Sequence, residues 1–274
     1  MRRNLVVAVV VVAVAGWWFL LRDDAPPPPD LASAAQVAAA AQSTTVAPTT
    51  TTVAPTTTAA LCWSCAYEEA STTGSEASTT TLVPDETNNV DSKDVSGTWS
   101  VDTTIGEFGI DEASGTFVGF RVKEVLGQGI GSATAVGRTP LVSGSAEIDG
   151  TTLVAAEIVA DLTRLRTDRS MRDSRVQDAL NTDAHPEATF VLSGPVDLGE
   201  GRQVQVPAPG SLTINGVTNI VTVDLAAELV GRILAVVGTI DVVFSDYDVE
   251  APTAPVVVSV EDHGIVEVQL FLTR

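Results

Sequence analysis

The chain has 274 residues, with 35 acidic against 15 basic side chains and a formal net charge of −20. From residue 97 onward 25 acidic residues face 11 basic ones, a balance that repels phosphate backbones and excludes a nucleic-acid partner. Two cysteines and two histidines are too few for a closed zinc site, and no metal or other cofactor is expected.

Residues 5–21 form an uninterrupted apolar or small run of 17 residues. As a helix rising about 1.5 Å per residue it spans about 26 Å, enough for a hydrocarbon core of roughly 30 Å with local thinning. Arg2 and Arg3 precede the run and Asp23-Asp24 follow Arg22, so the positive-inside rule leaves the tip in the cytoplasm and exports the rest. Trp17, Trp18 and Phe19 fall at the outer interface. A cleaved signal peptide fits less well, because Ala13-Val14-Ala15 would leave a short apolar core and a tryptophan pair at the new terminus. The expectation is a single-pass cell-membrane protein: tip and transmembrane anchor over 1–22, linker over 23–96, and an extracytoplasmic domain over 97–274.

The linker holds four consecutive prolines at 26–29, an Ala-rich stretch at 31–41 too short to be a stable helix alone, and the repeats Val46-Ala47-Pro48 and Val53-Ala54-Pro55 with their threonine tracts. It reads as a disordered stalk, a coil spanning roughly 50 Å that holds the domain clear of the membrane. Both cysteines lie in it, as Cys62-Trp63-Ser64-Cys65. The surroundings supply neither a βαβ context for redox chemistry nor histidines for zinc, which leaves a local disulfide or an intermolecular bridge in an oxidising compartment.

From Gly97 the texture becomes period-two alternation, the mark of half-buried strands. Short strands are expected at 99–102, 117–122, 143–148, 189–193 and 211–214. In 153–162, Val154, Ala156, Ile158, Ala160 and Leu162 share a face. In 220–230 the shared face is Val221, Val223, Leu225, Ala227 and Leu229; in 234–244 it is Leu234, Val236, Ile240, Val242 and Phe244. The last strand aligns Val266, Val268, Leu270 and Leu272. Asp149-Gly150, Glu200-Gly201, Asn215-Gly216 and His263-Gly264 supply turns, and 164–181 has helix-like spacing at Met171, Val176 and Leu180. The run 246–250 reads as a solvated acidic loop. Eight or more such strands make an all-β sandwich or an up-and-down barrel.

These residues also carry a resemblance. Trp99-Ser100-Val101-Asp102, Phe120-Arg121-Val122-Lys123, the run Asp161-Leu162-Thr163-Arg164-Leu165-Arg166-Thr167-Asp168, Arg172-Asp173, His185-Pro186 with Ala188-Thr189-Phe190, and Leu212-Thr213-Ile214-Asn215-Gly216-Val217-Thr218 follow one another as in the YceI family, which 97–274 resembles. The resemblance implies an antiparallel lipocalin-like barrel of about eight strands with a short helical insert. It also implies a polyisoprenoid or other lipid as ligand. Where many members have a histidine after the second strand, this chain has Glu124.

On that reading Phe120, Val122, Ile158, Leu162, Phe190, Leu192, Leu212 and Ile214 form an apolar wall, and Asp161, Arg172 and His185 a polar mouth. Five arginines between 164 and 175 make a positive island in an acidic domain, suited to an anionic headgroup or else paired with Asp168, Asp173 and Asp178 on a solvated face. His185 and His263 lie in extended and turn contexts with no nucleophile elbow, so no enzymatic activity is expected. The leading expectation is a non-enzymatic carrier or sequestering protein for an isoprenoid-type or other amphiphilic lipid. A stalked structural or adhesion module with a solid barrel is the alternative. Alternation alone does not separate a lined cavity from a filled core.

Overall fold

The computed structural model describes residues 25–43, 95–126, 131–252 and 257–274. The expected anchor at 5–21, the Thr-Pro repeats and Cys62 and Cys65 lie outside these residues. No described helix is long and apolar enough to cross a membrane.

The alternating segments form β1 (Gly97–Val101), β2 (Phe117–Leu126), β3 (Gly131–Thr139), β4 (Val142–Asp149), β5 (Thr152–Asp161), β6 (Arg166–Thr167), β7 (Glu187–Leu192), β8 (Val196–Asp197), β9 (Gln203–Ile214), β10 (Val217–Val230), β11 (Ile233–Val243) and β12 (Val257–Thr273). In the order β1-β4-β5-β7-β9-β10-β11-β12 they pair antiparallel, and β12 returns to β1 through Ser100–Thr273 and Val101–Leu272. The result is a closed eight-stranded barrel. Strands β2 and β3 extend the wall from the first half of β12, β6 flanks β3, and β8 flanks β5.

The hairpin at Asn215-Gly216 joins β9 to β10 with both residues left-handed, at φ 50° and 76°, as a tight primed turn requires. His263-Gly264 is not a turn. It lies inside β12, within a register shift between Val260 and Gly264, and a Cβ on Gly264 would sit 2.6 Å from the Phe244 ring. The glycine marks a close approach at a bulge. In β5 the register against β4 slips between Glu147 and Ile148, so Leu153, not Val154, turns inward. Strand β9 is three times the expected length; Pro207 and Pro209 disguise its first half, which lies beyond the stretch paired with β7.

Part of the expected disordered linker is folded onto the barrel. Helix α1 (Leu31–Ser43) packs on the outside of β10 and β11, burying Ala34 and Ala38 against Ile233, Ala235, Phe271 and Ile105. A short Ala-rich helix gains little from propensity alone; tertiary burial holds this one. Its end is fixed by Gln42, whose Nε2 donates to Val230 O at 2.6 Å.

The prolines ahead of α1 cover a buried ionic cluster on the outer wall. Glu267 of β12 is 1% exposed, with Arg138 Nε at 2.8 Å from Oε1 and Arg121 Nη2 at 3.3 Å from Oε2. Each guanidinium also donates at 2.6 Å to a strap carbonyl, Arg121 to Pro26 O and Arg138 to Pro27 O. A buried ion pair is tolerated only when its remaining donors are satisfied, and here backbone carbonyls do so.

Candidate functional site

Inward side chains of the barrel surround a cavity of about 310 Å³. All eight residues of the expected apolar wall line it: Phe120, Val122, Ile158, Leu162, Phe190, Leu192, Leu212 and Ile214. Several of them, including Phe120, Ile158, Phe190, Leu192 and Ile214, point inward yet stay only half-buried. A filled core would leave them no accessible surface, so the solid-barrel alternative does not describe this interior. Two glycines make room for the rings: a Cβ on Gly210 would strike Phe190, and one on Gly137 would strike Phe120.

At the end formed by β1, β4 and β8 the cavity is lined by Val95, Leu198, Gly199, Gly201 and Arg202, and Arg202 Nη2 donates to Leu229 O at 3.4 Å. Trp99 is fully buried, its Nε1 donates to Val95 O at 2.8 Å, and the Arg274 guanidinium lies 4.5 Å over its ring.

The opposite end carries Glu124, Arg172 and Arg175. Glu124, near the end of β2, faces inward with Val122 and is buried. Arg172 reaches it from a 3-10 turn, Ser170–Arg172, that leads into helix α2 (Asp173–Ala179). The turn is pinned by its own sequence. Asp173 Oδ1 accepts from Thr167 N at 2.8 Å, and Thr167 Oγ1 lies 2.7 Å from both Asp173 Oδ1 and Arg169 O. Strand β6 is held to β3 by Asp168, whose N donates to Val136 O at 2.9 Å.

So fixed, Arg172 places Nη2 at 3.1 Å from Glu124 Oε2 and Nη1 at 3.2 Å from Asp168 Oδ1. The first contact is an ion pair without hydrogen-bond geometry, and Glu124 Oε2 accepts no hydrogen bond. Burial raises the Glu124 carboxyl above its ordinary value, opposed by the charge of Arg172. Arg175, Val176 and Leu180 complete this end of the wall.

Of the expected polar mouth, Arg172 alone lines the cavity. Asp161 caps its own turn, its Oδ1 accepting from Thr163 N at 2.8 Å and Oγ1 at 2.6 Å. His185 is exposed and lies against Gly216, outside the wall. Asp161 satisfies local backbone at a chain reversal, as short polar side chains do, and the His185 backbone N donates to Asn181 O at 2.9 Å. Two lining groups are additions to the sequence reading. Glu124 had appeared only as a departure from a family pattern. Tyr247 and Val249, within the run taken as a solvated acidic loop, are buried and line the cavity beside Phe244. The signal was the apolar residues interleaved among the acids.

A closed antiparallel barrel around an apolar cavity is the architecture in which an eight-stranded fold can enclose one small molecule. The YceI-like domain model matches residues 108–272, and the chain belongs to that family. Solved structures similar to it include BcnA of Burkholderia cenocepacia, at 21% identity, covering 56% of this chain and 95% of that one with a TM-score of 0.44. A polyisoprenoid-binding domain from Saccharophagus degradans, implicated in plant cell wall breakdown, is 21% identical over 64% of this chain and 97% of that one, TM-score 0.47. The YCEI protein of Campylobacter jejuni is 16% identical over 50% and 84%, TM-score 0.42. No curated protein matches the chain.

Proposed function

We propose that the barrel encloses the tail of one long apolar or amphiphilic molecule, of the isoprenoid-lipid type, as a non-enzymatic carrier or store tethered to the outer face of the cytoplasmic membrane. The observation that carries this reading is an unfilled, almost wholly apolar cavity whose charged lining groups lie toward its ends, Glu124, Arg172 and Arg175 at one and Arg202 at the other. Burial holds the tail at about 0.8 kcal/mol per methylene. Arg172, with Arg175 nearby, meets the polar end of the guest, and an acidic or phosphate-bearing headgroup suits a guanidinium fork best. Membership of the YceI-like family agrees with this function, and the apolar run at 5–21 supports the tether.

Native mass spectrometry of the full chain, extracted gently from membranes, tests the proposal. A bound lipid of defined mass, displaced by an apolar fluorescent probe, is expected. A protein that carries no lipid and refuses the probe overturns it.

A further inference from the structure

The path of residues 25–43 over the outer wall points to an orientation that a flexible stalk would not give. Followed backward, the segment starts at Gln42 beside the β10–β11 turn, crosses β11 by way of Ala38 and Ala34, and reaches Pro27 over Arg138 and Pro26 over Arg121. It therefore climbs from the Trp99 end of the barrel toward the Glu124 end. Only Arg22, Asp23 and Asp24 separate Ala25 from the apolar run, and fully extended they cover about 10 Å.

The segment 44–94, in contrast, leaves and returns at the far end. It begins after Gln42, and it rejoins the barrel at Val95 and Ser96, where Ser96 Oγ accepts from Gly150 N at 2.9 Å in the β4–β5 turn. The described residues that flank the long Thr-Pro stretch are thus both fixed at one end of the barrel, and its length does not enter the separation of Ala25 from the apolar run. Beyond the strap, on the way to the Glu124 end, β11, β12 and β2 expose Val243, Ile265 and Val125 among exposed charged and polar neighbours, Lys123 on β2, Asp241 opposite Ile265, and Asp262 and His263 on β12.

From these placements we infer that the strap clamps the barrel directly against the lipid surface, with the outer wall of β2 and β12 and the Glu124–Arg172 end turned toward the bilayer. This inference rests on the proposed membrane tether and deepens it: the occupant of the exposed Val125–Ile265–Val243 surface is the headgroup region of the same membrane. A guest lipid then passes between bilayer and cavity without crossing open water.

The test uses the full chain with Cys62 and Cys65 replaced by serine, reconstituted in phosphatidylcholine nanodiscs that carry headgroup-spin-labelled lipid. A fluorophore is attached in separate samples at V125C or at D149C. Strong quenching at 125 and little at 149 is expected, unchanged when residues 46–58 are deleted and abolished when a thirty-residue Gly-Ser spacer is inserted between Asp24 and Ala25. A chain that enters the nanodisc with 125 quenched no more than 149 overturns the inference and leaves the tether standing. Quenching at 125 that responds to the 46–58 deletion and ignores the spacer also overturns it. A chain that never enters the nanodisc overturns the tether, and the inference with it.

Discussion

Arg172 stands between two carboxylates, 3.1 Å from Glu124 on the cavity side and 3.2 Å from Asp168 on the side of β3. One guanidinium thus balances a buried acid and a strand anchor, and a bound anion competes for the same donors.

Replacing it tests that competition. In R172M the anion loses its fork and meets two uncompensated carboxylates. Affinity for a long-chain acid or prenyl phosphate is expected to fall about tenfold or more, while a neutral alcohol of the same chain length changes little. Displacement of a fluorescent probe measures both. Equal losses for acid and alcohol would show that Arg172 acts on the wall and not on the headgroup.

Glu124 gives a pH signature with a definite sign. Its folded-state value is raised above the ordinary 4.5 by desolvation, against the pull of Arg172. A raised carboxyl binds its proton more tightly when folded. The stability it contributes is complete below pH 4.5 and lost as pH rises through the folded-state value. E124Q, which is neutral throughout, is therefore expected to gain thermal stability over the parent at pH 7 to 8 and to lose that advantage near pH 4. Melting curves across that range decide it; an advantage that grows on acidification contradicts the assignment.

Ala156 points into the void while only half-buried. A156F places a ring in that space, and the protein should fold with a stability change within the overpacking range of about 1–3 kcal/mol. Lipid carried through gentle purification should disappear from its native mass spectrum. Retention of a full complement of lipid would place the guest elsewhere.

The outer-wall cluster predicts the reverse pattern, stability without affinity. E267A leaves buried Arg138 and half-buried Arg121 without their counter-charge, a loss of the kind that costs about 3–5 kcal/mol for a buried pair. Denaturant titration should show that loss, and native-state proteolysis should find 25–43 released. R121Q, on the more exposed partner, should cost much less.

The inward faces of β10, β11 and β12 were legible in the sequence because Val223 and Leu225 flank Asp224, Ile240 lies between Thr239 and Asp241, and Val266, Val268 and Leu270 alternate with Glu267 and Gln269. All eight wall positions line the cavity for the same reason, helped by the family resemblance. Strand β3 gave no such contrast: Gly131–Thr139 is rich in glycine and alanine, and Gly137 is small because the Phe120 ring lies on it. The bulge at Val154 shifts register by one residue and the irregularity between Val260 and Gly264 by two, changes that period-two reading does not register. The strap was invisible for another cause. Its contacts are backbone carbonyls of Pro26 and Pro27, which any residue possesses, and helix packing that depends on a distant partner surface.

One feature of the ring governs how it yields. Between β12 and β1 the cylinder is fastened by two rungs, Ser100 to Thr273 and Val101 to Leu272, with one further bond from Asp102 N to Phe271 O at 2.8 Å. Its other joints carry four rungs or more. Thermal breathing therefore unzips this seam first, so the amides of Val101 and Thr273 trade their protons for deuterium ahead of those in β10 and β11.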